Sequence, residues 1–444
     1  MSDDHITPRS GLPKTEPGPR PTSERPPHVP GPVRRFFADL GPGLITGAAD
    51  DDPSGISTYS VAGASFGYGM LWTVIFSFPL MAGVQLMCAR LGLVTGRGLA
   101  GVIRLRYPKY VLWGACALLV VANTINIGAD LGGMAAALEM VTGVTRFVWL
   151  PLTAGLIVVL LIWSRYRYIA RVFKWLTLVL FAYVICAFFT HQDWAAVLRA
   201  TFVPHVEWNR RYLATFVAIL GTTISPYLFF WQAAQEVEEE REMGRRTVRA
   251  RRGATDEELR TARRDVVAGM AFAIAIEYFI ILTTSATLFA TGQREIETAQ
   301  QAAEALRPLA HEAAYLLFTL GLVGTGMLAV PVLAGSAAYA VSEAMRWGGG
   351  LDERPRLARK FYGVLAAAVL VGLGLDYMRF NAVRMLFWAA VVNGVLAPPL
   401  IVIVTHLTAD PKVMGGRANP PLLSWLGWAT AGIMFAATVA MIVV

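Results

Sequence analysis

At 444 residues, 55% of them hydrophobic and 16% charged, with a mean hydropathy of +0.50, the chain has the balance of a polytopic membrane protein, and an ordinary soluble fold is excluded. The net charge of +8 would suit nucleic acid, but the 39 Lys and Arg flank apolar segments as a membrane topology requires, so no nucleic-acid partner is expected. Cys88, Cys116 and Cys186 all fall in apolar segments without metal spacing and are read as core residues, with no disulfide.

Residues 1–35 hold nine of the 24 prolines and are expected to form a disordered cytoplasmic tail without a secretion signal. A membrane-spanning helix needs about 20 mostly apolar residues. Eleven such segments follow, near 41–65, 68–90, 111–140, 147–164, 172–190, 212–236, 265–290, 312–344, 360–376, 384–406 and 422–443. The fold class expected is an all-α polytopic membrane protein with a core of ten spans over 36–410, and an eleventh helix within 411–444. With a cytoplasmic N-terminus, only Arg146, Arg199, Arg210, Arg211, Arg294, Arg307, Arg379 and Arg384 fall outside, and the other 31 Lys and Arg lie inside. The positive-inside rule therefore places the N-terminus in the cytoplasm and the C-terminus outside, in the plasma membrane.

The first span carries Asp50, Asp51 and Asp52, followed by Pro53 and Gly55. Ionisable residues at membrane depth are costly and face a protein interior or an ion path. Proline removes a backbone donor and glycine frees φ, so the helix is expected to break just after Asp52 and to turn carbonyl oxygens and half-helix ends towards a substrate ion. In the third span Asn123, Asn126 and Asp130 are spaced to share one helix face, which serves either interhelical hydrogen bonds or a cavity. Arg165-Tyr166-Arg167-Tyr168 reads as an interface anchor, and His191 and His205 read as solvent-facing. The sixth span holds a second break, Gly221-Thr222-Thr223-Ile224-Ser225-Pro226-Tyr227. Breaks in spans one and six are what two inverted five-helix repeats, about 41–190 and 212–406, require. Gln232, Gln235, Glu236, Glu238, Glu239 and Glu240 then lead into a loop with nine Arg between Arg241 and Arg264 that reads as helical and ion-paired, and the carboxylates before it are a candidate inner exit. In the seventh span Glu277 lies among apolar residues, and buried there it needs a proton or a cation as partner.

A carboxylate, hydroxyls and carbonyls make a hard-ion site, and neither break offers His, Cys or Met. Successive helical residues turn by about 100°, so the three aspartates cannot all reach one ion. Asp52 is placed against the ion with Thr222, Ser225 and the backbone around Gly55, while Asp51 or Asp50 attracts it or holds its waters and Glu277 lies near the path. Magnesium sheds water reluctantly and binds through few carboxylates, which suits such a site. No cofactor is expected; the metal ion is the substrate, the lipid bilayer is the surrounding partner, and a monomer is expected.

At these breaks the chain resembles the Nramp family of divalent-metal transporters, over about 40–406 and including Gly41-Pro42-Gly43. Where the family carries Asp-Pro-Gly-Asn, this chain has Asp52-Pro53-Ser54-Gly55; where it carries Ala-x-x-Met-Pro-His, the chain has Thr222-Thr223-Ile224-Ser225-Pro226-Tyr227. The resemblance makes Asp52 the retained ligand, Gly55 the asparagine position, Thr222 the carbonyl donor, Ser225 the metal-selecting methionine position and Tyr227 the position of a histidine linked to proton movement. The family's Asp-Leu-Ala-Glu aligns with Asp130-Leu131-Gly132-Gly133, keeping one proton-relay acid, and Glu277 stands at a position usually held by asparagine. Thioether and proton groups lost and oxygen gained resemble the divergent Nramp-related magnesium branch, which implies uncoupled Mg²⁺ and Mn²⁺ transport by alternating access on a leucine-transporter-type fold. The alternatives are a proton-coupled Mn²⁺ or Fe²⁺ importer, in which Asp130 and Glu277 carry protons, and a carrier of a small organic solute. No nucleophile–base pair or phosphate-binding loop is present, so no enzyme is expected.

Overall fold

The computed structural model describes residues 42–163, 178–351, 353, 355–378 and 380–444, and among these every regular element is helical. The proline-rich tail, Gly41, the Arg165–Tyr168 anchor, the start of the fifth span and Arg379 lie outside the described residues.

The first span is two half-helices, α1 (Pro42–Asp50) and α2 (Pro53–Phe66), separated by Asp51 and Asp52. The interruption thus precedes Pro53 instead of following Asp52 through Gly55. A residue before proline is driven to extended backbone, and proline suits the first position of a helix because its missing N–H has no partner there anyway. Asp52 accordingly sits at ψ 169° and Pro53 opens α2, with Gly55 inside its first turn. After α3 (Leu71–Thr95), the rim helix α4 (Leu99–Arg106), α5 (Lys109–Thr142), α6 (Arg146–Trp163), α7 (Phe181–Phe189) and α8 (Trp194–Phe202), the same device recurs. Helix α9 (Arg210–Thr223) ends, Ile224 and Ser225 leave helical geometry, with Ser225 at ψ 131°, and Pro226 opens α10 (Pro226–Glu242). The chain continues as α11 (Asp256–Thr284), α12 (Ala314–Met345), α13 (Arg359–Asp376), α14 (Ala382–Ala409) and α15 (Pro421–Val443). All eleven expected spans have a helical counterpart. Among the described residues, eight helical runs are long and apolar enough to cross a membrane; α13 has the length but carries Arg359, Lys360 and Asp376 at its ends, and the described part of the fifth span is shorter.

Burial separates the centre from the rim. The α9–α10 run is 94% buried in its most apolar window, whereas α6 and α15 are 28% and 33% buried in theirs and present exposed Trp163, Trp425 and Phe435 outward. Apolar side chains turned out from a bundle fit a lipid solvent. The broken helices are held centrally by direct backbone contact: a Cβ on Gly47 of α1 would come within 2.2 Å of the Gly269 carbonyl of α11, and one on Gly221 of α9 within 2.1 Å of the Ala390 carbonyl of α14. Small residues are what allow such close crossings in lipid. The nine-arginine stretch is largely helical, closing α10 at Arg241–Glu242, forming a short helix over Val248–Arg251 and opening α11 from Asp256, and it is ion-paired through Arg241–Glu238, Arg245–Glu240 and Arg245–Glu258. His191 and His205 are exposed.

Candidate metal centre

The two breaks face each other at the middle of the bundle. A Cβ built on Gly55 would stand 3.1 Å from Thr222 Oγ1 and 3.4 Å from Asp52 Oδ1, so a side chain at 55 would occupy the space between the breaks. The Asp52 carboxylate starts α2: its Oδ1 accepts from the Gly55 N–H and from the Ser54 hydroxyl, both at 2.7 Å. That cap fixes its orientation and leaves Oδ2 for an ion. Thr222 Oγ1 is buried and has no hydrogen-bond partner among the described residues. Ser225 is placed differently from the expectation of a free hydroxyl: it donates to the Thr222 carbonyl at 2.6 Å and the Gly221 carbonyl at 2.9 Å, terminating α9. It can offer an ion only a lone pair.

A second group lies beside this one. Asp50 and Asp51 are 0% and 1% exposed, and neither carboxyl has a hydrogen-bond donor among the described residues. Asp50 lies in contact with Glu277 of α11, which accepts from Thr223 Oγ1 at 3.1 Å, and Thr223 Oγ1 is in turn 2.9 Å from Tyr59 Oη. Two carboxyls in contact in a dry interior need a proton or a cation between them. Glu277 thus lies beside the first break, bonded to Thr223 and, through it, to Tyr59, two residues not among the site candidates read from sequence. Their only signal in the sequence was a phenol and a hydroxyl within helical reach of the two breaks.

Asp130 is fully buried, has no side-chain donor and lies against the start of α2 near Ser54. Asn123, on the same face, bonds the Leu333 carbonyl at 2.8 Å and Ser336 at 2.7 Å, so it serves helix packing, whereas both polar atoms of Asn126 are buried and unpartnered among the described residues. A further acid, Asp376 at the end of α13, is 1% exposed and packs on Gly132, where a Cβ would come within 2.4 Å of its Oδ1. From sequence it read as the edge of a span.

Access differs on the two sides. On the side of Arg146 and Asn381 a cavity of about 650 Å³ is lined by Glu139, Arg146, Glu297, Thr298, Tyr315 and Asn381. Ala136, Ala299, Ala382 and Val383 are shared with a void of about 20 Å³ that reaches Ser57, a little more than half a turn beyond Gly55. That throat has room for about one water. On the side of the arginine-rich loop the centre is sealed: Tyr227 Oη donates to the Ala49 carbonyl at 2.9 Å, Thr46 Oγ1 to Gln232 at 2.7 Å, Gln232 Nε2 to Glu236 at 2.9 Å, and the Gly43 N–H to Asp265 at 2.6 Å. Gln232 and the candidate-exit residue Glu236 thus close α1 onto α10 in this state.

Two discontinuous helices meeting at a buried group of carboxylates define a multi-pass membrane carrier of the leucine-transporter type. The chain belongs to the Nramp family: residues 43–444 match the family described as natural resistance-associated macrophage protein-like. It is 29% identical over 413 residues to the divalent metal cation transporter MntH of Mesorhizobium japonicum, covering 90% of this chain and 87% of that one. Its fold is similar to the Eremococcus coleocola manganese transporter, at TM-score 0.74 and 19% identity over 95% of this chain and 88% of that one. It is also similar to Mhp1, a nucleobase-cation-symport-1 family transporter, at TM-score 0.57 and 14% identity over 91% and 90% of the two chains.

Proposed function

We propose that this protein imports divalent cations, Mg²⁺ foremost and Mn²⁺ as a second substrate, by alternating access and without proton coupling. The coarser statement is that it is a divalent metal cation transporter of the Nramp type and not an enzyme, in line with its family and its MntH relative. The finer reading is carried by one observation: the buried polar side chains at the two breaks and at Glu277, namely Asp50, Asp51, Asp52, Thr222, Thr223, Ser225 and Glu277, carry oxygen and neither sulfur nor imidazole. Sulfur or imidazole favours later transition metals over Mg²⁺, and an all-oxygen site forgoes that selection. Gly55 puts no side chain between Asp52 and Thr222, where a Cβ would already stand 3.1 Å from Thr222 Oγ1, and a close-set oxygen site suits a small hard ion such as Mg²⁺.

In the transport cycle, Asp52 Oδ2 and Thr222 meet the ion arriving through the throat at Ser57, while Asp50, Asp51 and Glu277 supply negative charge behind it. Release requires α1 to part from α10 and α11, which breaks the Thr46–Gln232–Glu236 chain and the Gly43–Asp265 bond. On this reading it works as a monomer in the plasma membrane. Its N-terminus is cytoplasmic and its C-terminus outside, so the sealed, arginine-rich side faces the cytoplasm. Buried Asp130 and Glu277 favour a second reading, proton-coupled Mn²⁺ or Fe²⁺ import, with these acids and Tyr227 on the proton path.

Uptake into liposomes with internal Mg²⁺ and Mn²⁺ sensors and a parallel pH dye separates the two. Magnesium entry without acidification is expected. Manganese entry with protons, with magnesium neither entering nor competing, would replace the first reading by the second.

A further inference from the structure

A pocket of about 310 Å³ lies away from the metal centre, among Arg97 after α3, Leu105 and Arg106 of α4, Arg252 before α11, and Lys412 and Val413 after α14. Its walls are tied together. The Gly253 N–H donates to the Val94 carbonyl at 2.9 Å, the buried Arg251 guanidinium to the Gly96 carbonyl at 3.3 Å, and Arg90 to the Arg417 carbonyl at 2.8 Å. Three chain segments distant in sequence, 95–106, 248–252 and 412–413, therefore hold four cations around one space.

The charge there is not answered from within. Arg106 pairs with Asp410 at 2.7 Å, and the Lys412 backbone N–H, with Arg106 beside it, holds that carboxyl below the usual carboxylate range. Arg97, Arg252 and Lys412 have no carboxylate partner among the described residues. Arg104 and Arg251 stand close to Arg97 and add like charge, and their guanidinium groups donate to backbone carbonyls, Arg104 to that of Glu343 and Arg251 to those of Arg245 and Arg246. Like charges gathered at fixed positions need an anion to settle them, and guanidinium forks match phosphate oxygens. The side formed by α4 is apolar and open: Leu105 is 63% exposed and Tyr110, just beyond, 77% exposed, as at a membrane rim.

We propose that this pocket binds the phosphate headgroup of an anionic phospholipid, with the acyl chains lying along Leu105, and so staples the ends of α3, α4 and α14 to the segment that leads into α11. Basic pockets between the cytoplasmic ends of spanning helices are suited to such headgroups.

The test is native mass spectrometry of the full chain with phosphatidylglycerol, phosphatidylcholine or inorganic phosphate, on wild type and on the Arg97→Gln/Arg252→Gln/Lys412→Gln triple variant. A control triple, Arg249→Gln/Arg260→Gln/Arg263→Gln, removes the same charge from outside the pocket. With each cation near an anionic headgroup contributing about fivefold, the pocket triple is expected to bind phosphatidylglycerol about 100-fold more weakly, with the control unchanged. A charge-preserving Arg252→Lys/Lys412→Arg variant, expected to bind within about fivefold of wild type, separates loss of the site from loss of the fold. Equal weakening in both triples, undiminished binding in the pocket triple, or displacement of the lipid by millimolar inorganic phosphate would each overturn the proposal. None of these readouts uses transport, so their outcome is independent of the ion reading.

Discussion

The two helix breaks solve the same backbone problem with different chemistry. Each is a pair of residues outside helical geometry followed by a proline at the first position of the next half-helix, Asp51-Asp52-Pro53 and Ile224-Ser225-Pro226. At the first, the side chain before the proline caps forward: Asp52 accepts from α2 and brings a charge to the centre. At the second, the side chain before the proline turns back: Ser225 donates to the carbonyls of Gly221 and Thr222 and brings only dipoles. One break supplies charge and the other closes and shapes the space opposite it. On the proposed reading, the first break would attract the divalent ion and the second would position it.

The largest expected effect comes from removing the charge while keeping the cap. Asp52→Asn retains an acceptor for the Gly55 N–H, so stability should hold to within about 1 kcal/mol, the usual spread among good capping residues. Radiotracer uptake should fall by about 100-fold, the cost of losing one partner of a buried charge contact. Asp52→Ala should abolish uptake while leaving the protein folded; uptake equal to wild type in either variant would remove Asp52 from the site.

The second test exchanges the character of the breaks. Gly55→Asn alone should impair transport, because its side chain enters the space 3.1 Å from Thr222 Oγ1. Gly55→Asn combined with Thr222→Ala and Ser225→Met restores room and adds a thioether, and should shift competition towards Mn²⁺ by about tenfold. A triple variant that keeps the wild-type Mg²⁺ preference would show that the donors do not set selectivity.

Glu277→Gln sharpens the comparison from the side of α11. It removes one carboxylate from the Asp50 contact and should weaken ion affinity by about tenfold, an electrostatic effect of one charge at intermediate dielectric, read by metal-binding calorimetry. If acidification accompanies transport in wild type and disappears in this variant, the proton-coupled reading gains instead.

The smallest effects belong to the groups that only hold the breaks. Ser225→Ala and Tyr227→Phe each remove a neutral hydrogen bond to a half-helix carbonyl and should cost about 1 kcal/mol in thermal unfolding, with affinity changed by less than about fivefold. Because Tyr227 closes α1 onto α10, its loss should show in the rate of transport more than in binding.

By itself the sequence determined an all-helical membrane chain, the two interruptions and the carboxylate at the first of them. These are local consequences: lipid demands about 20 apolar residues per crossing, proline and its predecessor cannot continue a helix, and an aspartate at that depth needs a protein environment. Even there the chain is one step off expectation, because Pro53 starts a helix and does not end one. Tertiary structure alone decided which polar groups meet. Asp50 meets Glu277, Thr223 and not Thr222 bonds that glutamate, Ser225 spends its proton on its own helix, and Asp376 fills the place beside Gly132. Each depends on how helices far apart in sequence are rotated and how closely they cross, and a pattern of hydrophobicity leaves the rotation of a helix buried all round undetermined.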